Sequence, residues 1–176
     1  MSGLEIERKF LVRGRAYKEQ ATSSSRISQG YICSGHGRTV RVRVRDDRAY
    51  LTIKGPAESD GLARYEFEKE ITLDEAQHLL AICDLPLIEK TRYLVPSPDG
   101  CHTFEVDEFY GDNAGLVMAE VELESKDAAF QKPDFIGLEV TGDRRFYNSH
   151  LRRMPFVIWR GSIPSEFRHV ELEQET

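Results

Sequence analysis

Glu5-Ile6-Glu7-Arg8-Lys9-Phe10-Leu11-Val12 sets two carboxylates and an ammonium at alternate positions of a short, partly apolar run. Successive side chains of a β-strand point to opposite faces, so Glu5, Glu7 and Lys9 share one face. Ile6, Arg8, Phe10 and Val12 share the other. Two carboxylates ~7 Å apart along a strand repel each other unless a cation sits between them. A divalent metal answers that need, and the lysine two residues on can hold an anion that the metal also binds.

The period of two recurs outward from this run. It predicts strands near 4–12, 26–33, 38–46, 49–55, 64–72, 88–95, 102–110 and 116–125. Ser34-Gly35-His36-Gly37, Asp46-Asp47, the stretch from Gly55 to Gly61, and Pro96-Ser97-Pro98-Asp99-Gly100 supply the turn signals. One helix is predicted from about Asp74 to Cys83, capped by Thr72 or Asp74, with Ala76, Leu79, Leu80 and Cys83 as its apolar stripe. Weaker helical patterns lie around 15–22 and 143–153. The polar, acidic residues after Gly161 read as a loose tail. About eight mostly antiparallel strands in one domain suggest a sandwich or a closed barrel.

The charged faces of these strands are largely single-signed. Arg41, Arg43 and Arg45 share a face opposite Val40, Val42 and Val44, and Thr52 and Lys54 extend the basic set. Glu66, Glu68 and Glu70 follow, then Lys90 and Arg92, then Glu105 and Asp107, then Glu120, Glu122 and Glu124. A solvated sheet face ordinarily mixes signs, because like charges side by side are destabilising. If these faces turn inward they form basic and acidic walls, and the complementary ligand is a polyanion with divalent cations. Arginine matches phosphate oxygens bidentately. Six basic side chains exceed what a monophosphate needs and suit a triphosphate. Gly35-His36-Gly37 lacks the rest of a phosphate-binding loop and reads as a hairpin turn. The five histidines are scattered and read as surface or loop residues, and Tyr31 reads as packing that could line a lumen.

Composition sets the outer limits. The 176 residues fit one domain, and a net charge of −6 argues against nucleic acid as the main partner. Residues 1–56 hold 12 Lys/Arg against 5 Asp/Glu, whereas 57–176 hold 12 against 25, which fits one site built by both halves. Cys33, Cys83 and Cys101 are odd in number and far apart, reading as reduced thiols. No apolar run resembles a signal peptide or membrane span, so the expected location is cytoplasmic, with no membrane partner.

Glu5-x-Glu7-x-Lys9, followed by Arg41-x-Arg43, Lys54, Glu66-x-Glu68, Lys90-x-Arg92 and Glu120-x-Glu122, closely resembles the CYTH superfamily, also called triphosphate tunnel metalloenzymes. Gln29-Gly30-Tyr31, Glu89-Lys90-Thr91-Arg92-Tyr93 and Glu139-Val140-Thr141 before Tyr147-x-x-x-Leu151 resemble its short bacterial branch. The likeness covers about residues 4–152. It implies an α+β, mainly antiparallel fold: an eight-stranded closed β-barrel, the triphosphate tunnel, with a few flanking helices. The domain is expected over 1–160, with the tail at 161–176.

The resemblance also implies roles. Glu5, Glu7, Glu120 and Glu122, with Asp107 as an addition, would bind Mg²⁺ or Mn²⁺. Lys9, Arg41, Arg43, Lys54, Lys90 and Arg92 would grip the phosphates, while Glu66, Glu68 and Glu105 line the tunnel. The catalytic set would be Glu5, Glu7, Lys9, Lys90, Glu120 and Glu122. The implied reaction is metal-dependent hydrolysis of inorganic tripolyphosphate to pyrophosphate and phosphate. The alternatives are a class IV-type adenylate cyclase making cAMP from ATP, another organic triphosphate hydrolase, or a polyphosphate- or nucleotide-binding module. The partner is a small-molecule triphosphate, and a homodimer is a family-level expectation. Every motif glutamate is present, which favours an enzyme over a binding module.

Overall fold

Strand pairing returns to its starting strand. A computed structural model describes residues 3–174. Its strands are β1 (Leu4–Val12), β2 (Ser23–Gly35), β3 (Arg38–Arg45), β4 (Arg48–Lys54), β5 (Ala63–Ile71), β6 (Asp84–Pro96), β7 (Thr103–Phe109), β8 (Val117–Glu122) and β9 (Ile136–Glu139). The order β5-β4-β3-β2-β6-β7-β8-β1 closes through β1 and β5, whose register sets Leu4 opposite Tyr65 and Ile6 opposite Ala63. All pairings are antiparallel. Eight strands therefore make a barrel and not a sandwich, while the short β9 lies along the far end of β1.

The barrel is polar inside and apolar outside. The valine face of β3 points outward, and helix α2 (Leu73–Ala81) covers it, packing Ala76, Leu79 and Leu80 against Val42, Val44, Leu51 and Ile71. A capping box starts this helix: Thr72 accepts from the Glu75 amide, and the Glu75 carboxylate accepts from the Thr72 amide. Helix α1 (Tyr17–Gln20) and residues 128–136 cover the outer faces of β1, β6, β7 and β8, burying Phe10, Phe104, Val106 and Val121.

At one end the inside is apolar too. Leu11, Tyr31, Ile88, Phe109 and Met118 meet Phe146, Leu151 and Phe156 there, and this plug floors the lumen. Phe146 belongs to a 3-10 turn at Arg144–Phe146, followed by α3 (Asn148–Leu151) and α4 (Phe156–Trp159), where one weak helix was expected over 143–153.

The expected loose tail is corrected. Residues 160–174 form three 3-10 turns on the barrel, with Ile163, Phe167 and Leu172 buried in its two larger apolar clusters. A Cβ on Gly137 would lie 2.2 Å from Phe167, so only glycine lets that ring seat on β9. Leu172 helps cover the outer strand faces, while Ile163 and Phe167 join the apolar end of the barrel. Residues 1, 2, 175 and 176 of the expected boundaries lie outside the described residues. His169 departs from its expected surface role: it is buried, its ring paired with the Val12 carbonyl at 3.0 Å. Among the described residues no helix is long and apolar enough to cross a membrane.

Candidate active site in the barrel lumen

Register decides which charges face each other across the lumen. On β1, β8 and β7, Glu7 stands opposite Glu122, Lys9 opposite Glu120, and Glu120 opposite Glu105. On β3, β4 and β5, Arg41, Thr52 and Glu68 form one rung, and Thr39, Lys54 and Glu66 the next. Strand β6 sets Arg92 opposite Asp107. These faces enclose a cavity of about 640 Å³ lined by both signs of charge. Lys9, Arg41, Arg43, Lys54, Lys90 and Arg92 are each at most 9% exposed. Glu5, Glu7, Glu66, Glu68, Glu105, Glu120 and Glu122 line the same cavity.

Most of these charges are paired. Lys9 reaches Glu120 at 3.1 Å; Lys54 reaches Glu5 at 2.6 Å and Glu66 at 2.8 Å. Arg41 stands 3.5 Å from Glu68, which also accepts from Thr52 at 2.8 Å, and Arg92 pairs with Glu105. Against the opposing effect of burial, Lys9, Arg92 and Lys90 hold Glu120 well below the usual carboxylate range. Lys54 chiefly holds Glu66 at about 2 in the same way.

Two deficits of opposite sign remain. Arg43 is 7% exposed, has no carboxylate partner among the described residues, and its Nε makes no hydrogen bond. Burial, with Arg41 and Arg92 close by, lowers its pKa. On the opposite strands, Glu7 and Glu122 have no ion-pair partner among the described residues. Burial and Glu120 push Glu7 up; burial and Glu105 push Glu122 up. Burial and Glu7 raise Glu5 to about 8. A buried charge without a partner is costly. Among the described residues no anion thus reaches ion-pair distance of Arg43 and no cation that of Glu7, although Lys54, Lys9 and Arg64 act on Glu7, and Glu68 and Glu105 on Arg43, from farther off.

Asp107 needs a correction. It is 2% exposed and does not line the cavity; Arg92 Nε and Nη2 donate to it at 2.7 and 2.8 Å, and Lys90 Nζ at 2.6 Å. Its oxygens are committed to fixing two cations and it stands outside the cavity lining, which fits an anchor better than a metal ligand. Burial, joined by Arg92 and Arg43, pushes Lys90 down to about 7 although Asp107 opposes the shift.

The sequence reading missed other lining residues. Arg64 sits 3.8 Å from Glu5, and its position two residues before Glu66 was the available signal. Tyr147, Asn148 and Ser149 come from the plug, where no alternation marks them. Asn148 accepts from Lys90 at 3.0 Å and from Gln29 at 3.2 Å, and Gln29 also donates to the Tyr31 hydroxyl. Glu70 and Glu124 pair at the surface with Arg48 and His102.

The donor set suits a hard divalent cation: carboxylate oxygens on neighbouring strands, with no thiolate or imidazole among them. No three such groups among the described residues yet converge on one point, because Glu5 and Glu120 turn to Lys54 and Lys9. A phosphate oxygen could take those ammonium groups and release both carboxylates.

Comparison with known proteins agrees with this architecture. The CYTH domain profile matches residues 3–147. An inorganic triphosphatase of Acetivibrio thermocellus is 49% identical over 88% of this chain and 96% of its own length. One from Nitrosomonas europaea is 35% identical over 84% and 95%. A crystal structure of an inorganic triphosphatase superposes with a TM-score of 0.59 at 33% identity, covering 84% of this chain and 93% of that one.

Proposed function

The chain belongs to the CYTH family, and on that premise we propose that it hydrolyses inorganic tripolyphosphate to pyrophosphate and phosphate inside its barrel. The observation that carries this reading is the pair of deficits, with Arg43 short of an anion and the Glu7–Glu122 pair short of a cation. A metal-bound polyphosphate supplies both. The names of the relatives support the same substrate.

In this reading Arg41, Arg43, Lys54, Lys90, Arg92 and Lys9 bind the phosphate chain and hold it in line for attack. Phosphoryl transfer asks chiefly for positioning and charge neutralisation, which such a set provides. Water oxygen bonds to a terminal phosphorus, the bridging P–O bond breaks, and pyrophosphate leaves with the electron pair. The water proton passes to a lumen base or to solvent. Glu5, Glu7, Glu120 and Glu122 would hold Mg²⁺ or Mn²⁺, which would draw charge from the phosphate oxygens. Glu66, Glu68 and Glu105 keep Lys54, Arg41 and Arg92 extended into the lumen.

An organic triphosphate needs a surface for its organic part. Tyr147 is the aromatic ring best placed for that, but Lys9 lies 5.3 Å and Arg64 5.9 Å from its centroid. The remaining lining is mostly charged. This favours the inorganic substrate over adenylate cyclisation or nucleotide binding. Free cysteines Cys33, Cys83 and Cys101 suit a reducing cytoplasm. A homodimer is carried over from the family resemblance, and sedimentation velocity tests it.

Purified protein given tripolyphosphate, ATP or thiamine triphosphate with Mg²⁺ or Mn²⁺ should release phosphate fastest from tripolyphosphate. Glu5→Ala and Glu120→Ala should abolish that release while the barrel stays folded. Predominant cAMP formation from ATP, or near-normal turnover in either variant, refutes the assignment.

A further inference from the structure

A second cavity, of about 670 Å³, opens beside the β2–β3 hairpin and belongs to none of the roles above. His36 and Gly37 at that hairpin's tip have φ of 52° and 76°, the pair of positive values that a tight two-residue hairpin turn requires. The turn sets Arg38 at the cavity wall. Arg64, Arg144 and Arg153 join it from β5 and the plug segment. Arg153 is fixed by donating to the Ser34 carbonyl at 2.7 Å and its hydroxyl at 3.1 Å. Arg38, Arg144 and Arg153 have no carboxylate partner among the described residues. The acidic lining groups, Glu58 and Asp60, are both taken by Lys126, Asp60 at 2.8 Å.

This cavity adjoins the lumen, and Thr39, Arg64, Tyr147 and Ser149 line both. The lumen is lined by acids as well as bases, Glu105, Glu122 and Glu124 among them. In the second cavity the acids are already paired, so the charge left for a polyanion there is positive. We propose that the Arg38–Arg144–Arg153 cavity is an anion port, a second binding site for inorganic phosphates through which they reach and leave the lumen. Clefts lined by one sign of charge raise the local concentration of the opposite ion and its association rate, in a salt-dependent way. The kinetic part of the inference rests on the hydrolase reading; the binding part does not.

The test compares the full-length protein with Arg38→Ala/Arg144→Ala/Arg153→Ala. The expected result is unchanged kcat, kcat/KM for tripolyphosphate about tenfold lower at low ionic strength, and convergence with wild type as salt screens the port. Arg48→Ala/Lys69→Ala/Lys132→Ala removes the same charge elsewhere and should change neither constant. Should loss of the Ser34 contact unfold the triple variant, Arg38→Ala/Arg144→Ala keeps the test. Calorimetric titration with tripolyphosphate in EDTA stops turnover and should show a second class of site beside the lumen in wild type, lost in the variant. Identical affinity and identical salt dependence overturn the port. A wild type that binds through these arginines yet hydrolyses nothing removes the hydrolase reading and leaves the port standing.

Discussion

Glu7 on β1 and Glu122 on β8 are direct cross-strand partners, two carboxylates on one lumen face with no cation paired to either among the described residues. Like charges set directly opposite destabilise a sheet, so this pair weakens the fold unless a cation neutralises it, as the proposed metal would. Glu7→Gln should raise the melting temperature of metal-free protein by about 2–4 °C, the shift that 1 kcal/mol gives at this size. Millimolar Mg²⁺ or Mn²⁺ should then stabilise wild type and leave the variant nearly unmoved. Calorimetric scans with and without EDTA measure both, and a variant that melts lower without metal contradicts the argument.

Asp107 anchors Arg92 and Lys90 in the metal-free barrel. Asp107→Asn keeps its shape but leaves buried cations short of charge, so stability should drop by about 3–5 kcal/mol. Urea unfolding measures the loss. Metal affinity of the folded fraction should stay within about twofold, whereas an abolished affinity would restore Asp107 to the metal set.

Lys90, lowered to about 7, loses its proton within the physiological range. If its ammonium form grips phosphate, as proposed above, tripolyphosphate kcat/KM should fall as pH rises above about 7. Lys90→Met should cut kcat/KM at pH 6.5 by ~100-fold, in the range a positioned group of this kind supplies, and flatten that limb. A limb that survives in Lys90→Met belongs to another group.

Phe167 and Leu172 make the last turns part of the domain. Either residue changed to alanine should cost about 2–5 kcal/mol, as buried large-to-small changes do. Truncation after Arg160 should expose apolar barrel wall and give a protein that aggregates. Unchanged urea midpoints would mean that the segment packs weakly.

Much of this was legible in the chain. All eight barrel strands were placed to within a few residues, because most alternate charge with apolar residues at a period of two; β2, with Arg26 its one charged residue, is the exception. The helix over 73–81 was legible through Thr72 and its apolar stripe. Strand β9 was missed, since four residues carry too little alternation to read. The turns after Gly161 were read as tail because their apolar residues follow no regular period. Asp107 was misjudged because a carboxylate alternating with Glu105 looks the same whether it faces a metal or two cations.

Arg41, Arg43 and Arg45 opposite Val40, Val42 and Val44 show where the sequence stops. Alternation by itself determined that the arginines share one face and that the glutamates of β1, β5 and β8 do too. It could not say which face is the inside, because a strand reads the same from either side. Tertiary structure decided that. Helix α2 covers the valine side, and closure of β1 on β5 leaves the charges no place but the lumen. Only then do residues far apart in the chain, Arg43 and Glu7 among them, line one cavity.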